Sequence, residues 1–100
     1  MGGPASLQHT ARMGTYTVTF SHNCDGGMQE FESAKAAILA ADPQAEVLCN
    51  RTRSYPIRVI VEREGESIFE SDQRDLFKKY AANRSKSMQT ITKRVAELTS

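Results

Sequence analysis

The first clear pattern along the chain is an alternation. In Thr15–Ser21, Tyr16, Val18 and Phe20 fall on one side and threonines on the other. Period two with β-branched residues predicts a half-buried strand. The run Asn23-Cys24-Asp25-Gly26-Gly27 then breaks the chain, and Asn23 or Asp25 can cap a following helix through a side-chain oxygen. From Met28 to Ala41 the period changes. Met28, Phe31, Ala34, Ile38 and Ala41 recur every three or four residues, the stripe of an amphipathic helix. Glu30 and Glu32 stand in its first turns, where the helix dipole favours negative charge. Asp42-Pro43 ends it, because the residue before proline is pushed out of the α region.

Ala45–Cys49 reads as a short second strand carrying Val47 and Leu48, and Asn50–Tyr55 as a polar, basic loop. Pro56 opens Ile57–Glu62, the most β-branched stretch of the chain. Arg63–Glu66, with Gly65, predicts a hairpin turn, and Ser67–Ser71 an antiparallel return strand. Asp72–Tyr80 is compatible with a short helix lined by Leu76, Phe77 and Tyr80. Residues 81–84 read as a loop, and Ser85 or Ser87 can cap a last helix whose stripe is Met88, Ile91, Val95 and Leu98. The order β-α-β, hairpin, α makes the first two strands parallel neighbours joined by a crossover helix. The expected class is α/β, a four-stranded mixed sheet with helices packed on its faces. Residues 1–14 are expected to be a flexible leader and 15–100 the folded domain.

One hundred residues, 39% apolar, suffice for one modest core. A net charge of +1 gives no overall field to draw in nucleic acid or acidic lipid, but the charge is unevenly spread. Residues 1–50 hold 2 Lys/Arg against 5 Asp/Glu, and residues 51–100 hold 11 against 7, so basic residues gather in the second half. They form either a solvated face or a partner contact. Two cysteines are too few for a secreted disulfide scaffold. No apolar run approaches the ~20 residues of a membrane span. His9 and His22 with Cys24 and Cys49 lack zinc-like spacing, and Gly26-Gly27 belongs to no phosphate-binding pattern, so neither metal nor cofactor is expected. The first acidic residue is Asp25. An acid-free start is a habit of mitochondrial presequences, although one Arg12 and a Met-Gly-Gly-Pro opening make a poor amphipathic helix.

Several short stretches carry a longer likeness. They are Gly27-Met28-Gln29-Glu30-Phe31, Asp42-Pro43-Gln44-Ala45-Glu46-Val47, then Asn50, Thr52 and Ser54 before Pro56, and Ser87 opening the last helix. In order and spacing they resemble the thioredoxin-like family shared by a small accessory subunit of mitochondrial complex I and by mitochondrial ribosomal proteins. The likeness covers about residues 15–98. The compactness of the chain, and the placing of one cysteine after the first strand and another near the end of the second, favour the complex I branch. The resemblance implies sheet order 2-1-3-4.

It also implies a non-catalytic structural subunit on the matrix side of the inner membrane. Its place would be against the large iron–sulfur subunit of the NADH module, without membrane insertion. Cys24 stands where the family carries its redox thiol, but Gly27 replaces the second cysteine of that pair. Cys24 and Cys49 are then either two ordinary thiols or an alternative disulfide. Pro56 is either the family's cis-proline beside the thiol or an ordinary strand-start proline. Candidate partner contacts are Arg51, Arg53 and Tyr55 before Pro56, and Phe77, Lys78, Lys79 and Tyr80 in the later link. Arg and Tyr are favoured interface anchors. A ribosomal protein binding rRNA through its basic residues, and a monothiol oxidoreductase similar to selenoprotein W relatives, are the alternatives.

Overall fold

A computed structural model describes residues 14–21, 28–53 and 58–99. The elements are β1 (Thr15–Ser21), α1 (Gln29–Ala41), β2 (Glu46–Thr52), β3 (Arg58–Arg63), β4 (Glu66–Asp72), a 3-10 turn (Gln73–Leu76) and α2 (Ala81–Thr99). The sheet order is β2-β1-β3-β4. β1 pairs parallel with β2 and antiparallel with β3, and β3 pairs antiparallel with β4. The expected α/β layout, a mixed sheet in order 2-1-3-4, is the one observed.

One sheet face carries the core. Tyr16, Val18 and Phe20 of β1, Val59 and Val61 of β3 and Phe69 of β4 are buried together with Ala34, Ala37 and Ile38 of α1, Leu76, and Ile91 and Val95 of α2. Both helices therefore lie over the same face. They run side by side in the same direction, since Arg84 reaches Ser33 and Thr92 reaches the carbonyl of Ala37 farther along. Both helices thus begin where β1, β2 and β4 end.

Two element boundaries move by several residues from expectation. β2 continues to Thr52 instead of stopping at Cys49. Its polar residues are recruited by β1: the Asn50 amide donates to the Thr19 hydroxyl (3.1 Å), and the Thr52 hydroxyl to the Phe20 carbonyl (3.5 Å). Tertiary pairing overrides weak strand propensity there. Cys49 is consequently mid-strand, opposite Val18 and level with a point three residues before the end of β1. At about 3.3 Å per residue that is roughly 10 Å short of the strand end, where Cys49 is expected to close the second strand.

α2 begins at Ala81 rather than at Ser85 or Ser87, so residues 81–84 are helix and not loop. Ala81 and Ala82 favour helix intrinsically. The Arg84 N–H closes on the Tyr80 carbonyl (2.9 Å), while the Arg84 guanidinium holds Ser33 Oγ (2.9 Å). At the start of α1, Met28 occupies the cap position without a side-chain hydrogen bond. Asn23 and Asp25 lie outside the described residues. Glu30, in the first turn of α1, is fully buried.

The β3–β4 turn has the expected two-residue form, with Glu64 at φ 51° and Gly65 at φ 90°. Positive φ at both central positions matches the twist of a tight hairpin. A Cβ at Gly65 would meet no atom within 4 Å, so Gly65→Ala isolates the backbone cost. It is expected to lower stability by about 1–2 kcal/mol, read as a lower urea midpoint with unchanged slope.

Candidate docking site

The link from the 3-10 turn to α2 is pinned at its start by Asp72. The Asp72 carboxylate accepts the Arg74 N–H (2.9 Å) and the Arg74 guanidinium (3.1 Å). These two hydrogen bonds, side chain first, hold the Asp72 carboxyl below its ordinary 3.8. Because the folded value is depressed, the contribution of Asp72 to stability is complete above 3.8 and is lost as pH falls through the lower, folded value. Asp72→Ala is expected to cost about 1 kcal/mol, as loss of a cap does. In urea titrations its deficit against the unsubstituted chain should be constant near neutrality and shrink in acid.

Farther on, the Phe77 N–H donates to the Arg74 carbonyl (3.0 Å) and the Tyr80 N–H to the Phe77 carbonyl (3.1 Å). The Phe77 side chain is buried, while Lys78, Lys79 and Tyr80 are exposed. The Lys78 N–H donates to Gln29 Oε1 (2.9 Å), which draws the link across the first turn of α1. Lys79 Nζ stands 5.4 Å from the Tyr80 ring centroid, within cation–π range. Gln29, Arg74, Phe77, Lys79 and Tyr80 line a small cavity of about 140 Å³.

Buried polar groups hold this arrangement, and hydrophobic periodicity had not singled them out. Gln73 is fully buried, and its Oε1 accepts the Ser21 N–H (3.2 Å), tying the 3-10 turn to the end of β1. Ser33 donates to the Leu76 carbonyl (3.1 Å) while accepting from Arg84, tying the same turn to α1 and α2. The signal available in the sequence was a polar residue at a core-facing position, as with Ser33 one place before Ala34 and Ser87 within the last helix.

Arg51 closes the C-terminal half of β2 opposite Phe20, and Arg53 follows the strand; both are exposed. β2 and β4 end on the same side of the sheet, so the structure brings Arg51, Arg53, Phe77, Lys78, Lys79 and Tyr80 to the end where both helices start. Among the described residues, none of Arg51, Arg53, Lys78 or Lys79 is in a salt bridge; the ion pairs there are Arg58–Glu70, Arg63–Glu64 and Arg74–Asp72. The opposite end carries Asp42, Glu46, Glu64, Glu66 and Glu97 together with Arg63, which pairs with Glu64, and Arg94. Glu32 of α1 and Asp75 of the 3-10 turn stand at the basic end as well, and Asp72 there is paired with Arg74, so the four cations exceed the acids there by a small margin. The N-terminus of α2 adds partial positive charge to this end, while Glu30 and Glu32 offset that of α1.

Tyr55, Pro56 and Cys24 lie outside the described residues. Cys49 is free and exposed. Among the described residues no group of three or more His, Cys, Asp or Glu is placed to hold a metal ion, and no helix is long and apolar enough to cross a membrane. Comparison with protein-family models, with curated proteins and with solved structures finds no match for the chain.

Proposed function

We propose that the chain is a non-catalytic structural subunit that docks its basic end onto an acidic surface of a larger assembly. One observation carries this reading: four exposed cations outside any salt bridge among the described residues, the N-terminus of α2 and an aromatic-lined cavity gather at one end of the domain. Such an end steers an acidic partner in and fixes its orientation. Phe77 and Tyr80 add apolar and aromatic area of the kind that anchors interfaces. The likeness of the sequence to thioredoxin-like accessory subunits nominates the host: the matrix arm of complex I, against the large iron–sulfur subunit of its NADH module.

The same cations give a second reading its footing. An rRNA surface would also be met by Arg51, Arg53, Lys78 and Lys79, and binding would then fall steeply with salt. Gentle isolation of the tagged full chain from mitochondria, followed by a native gel, separates the two. Migration with NADH-dehydrogenase activity supports the first, and migration with rRNA supports the second. Migration of all the chain at its own small mass contradicts both.

A further inference from the structure

The two outer strands of the sheet are finished differently. On β4 the register shifts opposite Val61 and Glu62, and Arg94 of α2 donates to the outward Ile68 carbonyl. A bulge and a covering side chain are common ways of closing a sheet edge. β2 has neither among the described residues. Glu46, Leu48, Cys49, Asn50 and Arg51 are exposed, and Val47 and Thr52 are half-buried.

The direction of the β2 main chain follows from one bond. The Glu46 N–H donates to the Gly14 carbonyl (3.0 Å), so Glu46 serves β1. Alternate residues of a parallel strand turn their groups to the same side. Leu48, Asn50 and Thr52 therefore also serve β1, while Val47, Cys49 and Arg51 turn N–H and C=O outward. These three residues are symmetric about Cys49, the midpoint of the strand.

We propose that β2 pairs antiparallel with β2 of a second copy of this chain about a twofold axis at Cys49, joining two sheets into one. A twofold axis keeps each side chain on its face, so only registers centred on a residue are allowed. Centring on Cys49 opposes Val47 to Arg51, Cys49 to Cys49 and Arg51 to Val47, and each opposed pair exchanges two hydrogen bonds. Centring on Leu48 sends Arg51 to Ala45, and centring on Asn50 sends Val47 to Arg53; both partners lie outside the strand, and a pair of bonds is lost. On the open face Leu48 meets Asn50 and Glu46 meets Thr52, so no like charges are opposed.

Charge complementarity selects a second copy as the occupant. β2 runs from the acidic end of the domain to the basic end. Antiparallel pairing sets Arg51 and Arg53 of one copy beside the Glu46 end of the other, and does so twice. This dimer rests on β2 and the adjoining Arg53 and holds whether or not the basic end docks as proposed.

The full chain carrying Cys24→Ser and Cys49→Ser should sediment under reducing conditions as a dimer at high micromolar concentration. Replacing residue 49 by proline in that background removes an outward donor and no bond to β1, so the fold should persist by circular dichroism. Loss of the central bonds is expected to weaken the dimer by about tenfold or more.

A second readout does not depend on that variant. Opposed hydrogen-bonded residues have Cα atoms about 5.5 Å apart, inside the disulfide range. With Cys24→Ser alone, diamide takes two electrons and two protons from two Cys49 thiols, becomes its hydrazine, and leaves one intermolecular disulfide. Covalent dimer should form faster than in a Cys24→Ser, Cys49→Ser, Leu48→Cys control, whose thiol lies opposite Asn50. A chain monomeric at that concentration, or crosslinking no faster at Cys49 than at position 48, overturns the proposal.

Discussion

Phe20→Ala is expected to remove about 3–5 kcal/mol of stability. A domain of this size has about 5–15 kcal/mol in all, so the variant should be partly unfolded near physiological temperature. Phe20 is 1% exposed and belongs to the buried core cluster. Its ring stacks on Phe31 with centroids 6.4 Å apart, and Lys35 Nζ stands 5.9 Å from the Phe31 centroid. Truncation removes the transfer free energy of the ring and leaves a cavity that strands on both sides keep from collapsing. Phe20 also sits between Val59 and Arg51 in the sheet, so the cavity opens beneath the basic end. Phe31→Ala, at a half-buried position, should cost clearly less. Urea unfolding of the three proteins measures the difference. A Phe20→Ala loss no larger than that of Phe31→Ala would contradict the fuller burial of Phe20.

Reversing Arg51, Arg53, Lys78 and Lys79 to Glu is expected to weaken docking by about 100-fold or more, near 3 kcal/mol. Single exposed ion pairs are worth only about 0.2–1 kcal/mol, so a lone reversal is a poor test. Four together convert attraction into repulsion across the whole end. The variant should keep its thermal midpoint, because these side chains are exposed and outside any salt bridge among the described residues. The effect should fall with added salt, since exposed charges are screened over about 8 Å at physiological ionic strength. Reversal of Glu64 and Glu66 at the opposite end should leave docking intact. Co-isolation from mitochondria at two salt concentrations reads both arms.

Much of this architecture was legible in the sequence. The alternation of Tyr16, Val18 and Phe20 located β1 and its buried face, and the spacing of Ala34 and Ile38 located α1. Those signals are strong because each side chain meets the core directly. What escaped was decided by partners distant in the chain. Asn50 and Thr52 join a strand because β1 supplies acceptors 31 and 32 residues away. Residues 81–84 are helical because Arg84 finds Ser33, 51 residues earlier. The hydrophobic pattern carries no information about such pairs.

The candidate site was legible in part. Phe77, Lys78, Lys79 and Tyr80 stood out by type, and the cavity includes Phe77, Lys79 and Tyr80. Gln29 and Arg74, which complete it, looked like ordinary surface residues. Gln73 looked the same, yet it is the buried tie between the 3-10 turn and β1. The end of β2 was misplaced: the strand runs three residues past Cys49 to Thr52, which leaves the thiol mid-strand.

The central claim is that the basic end faces the partner. A photo-crosslinking amino acid at Lys79 or, separately, at Glu66 of the tagged full chain tests it inside mitochondria. The expected result is a covalent adduct to a large assembly subunit from position 79 and none from position 66. Adducts from position 66 alone would contradict it.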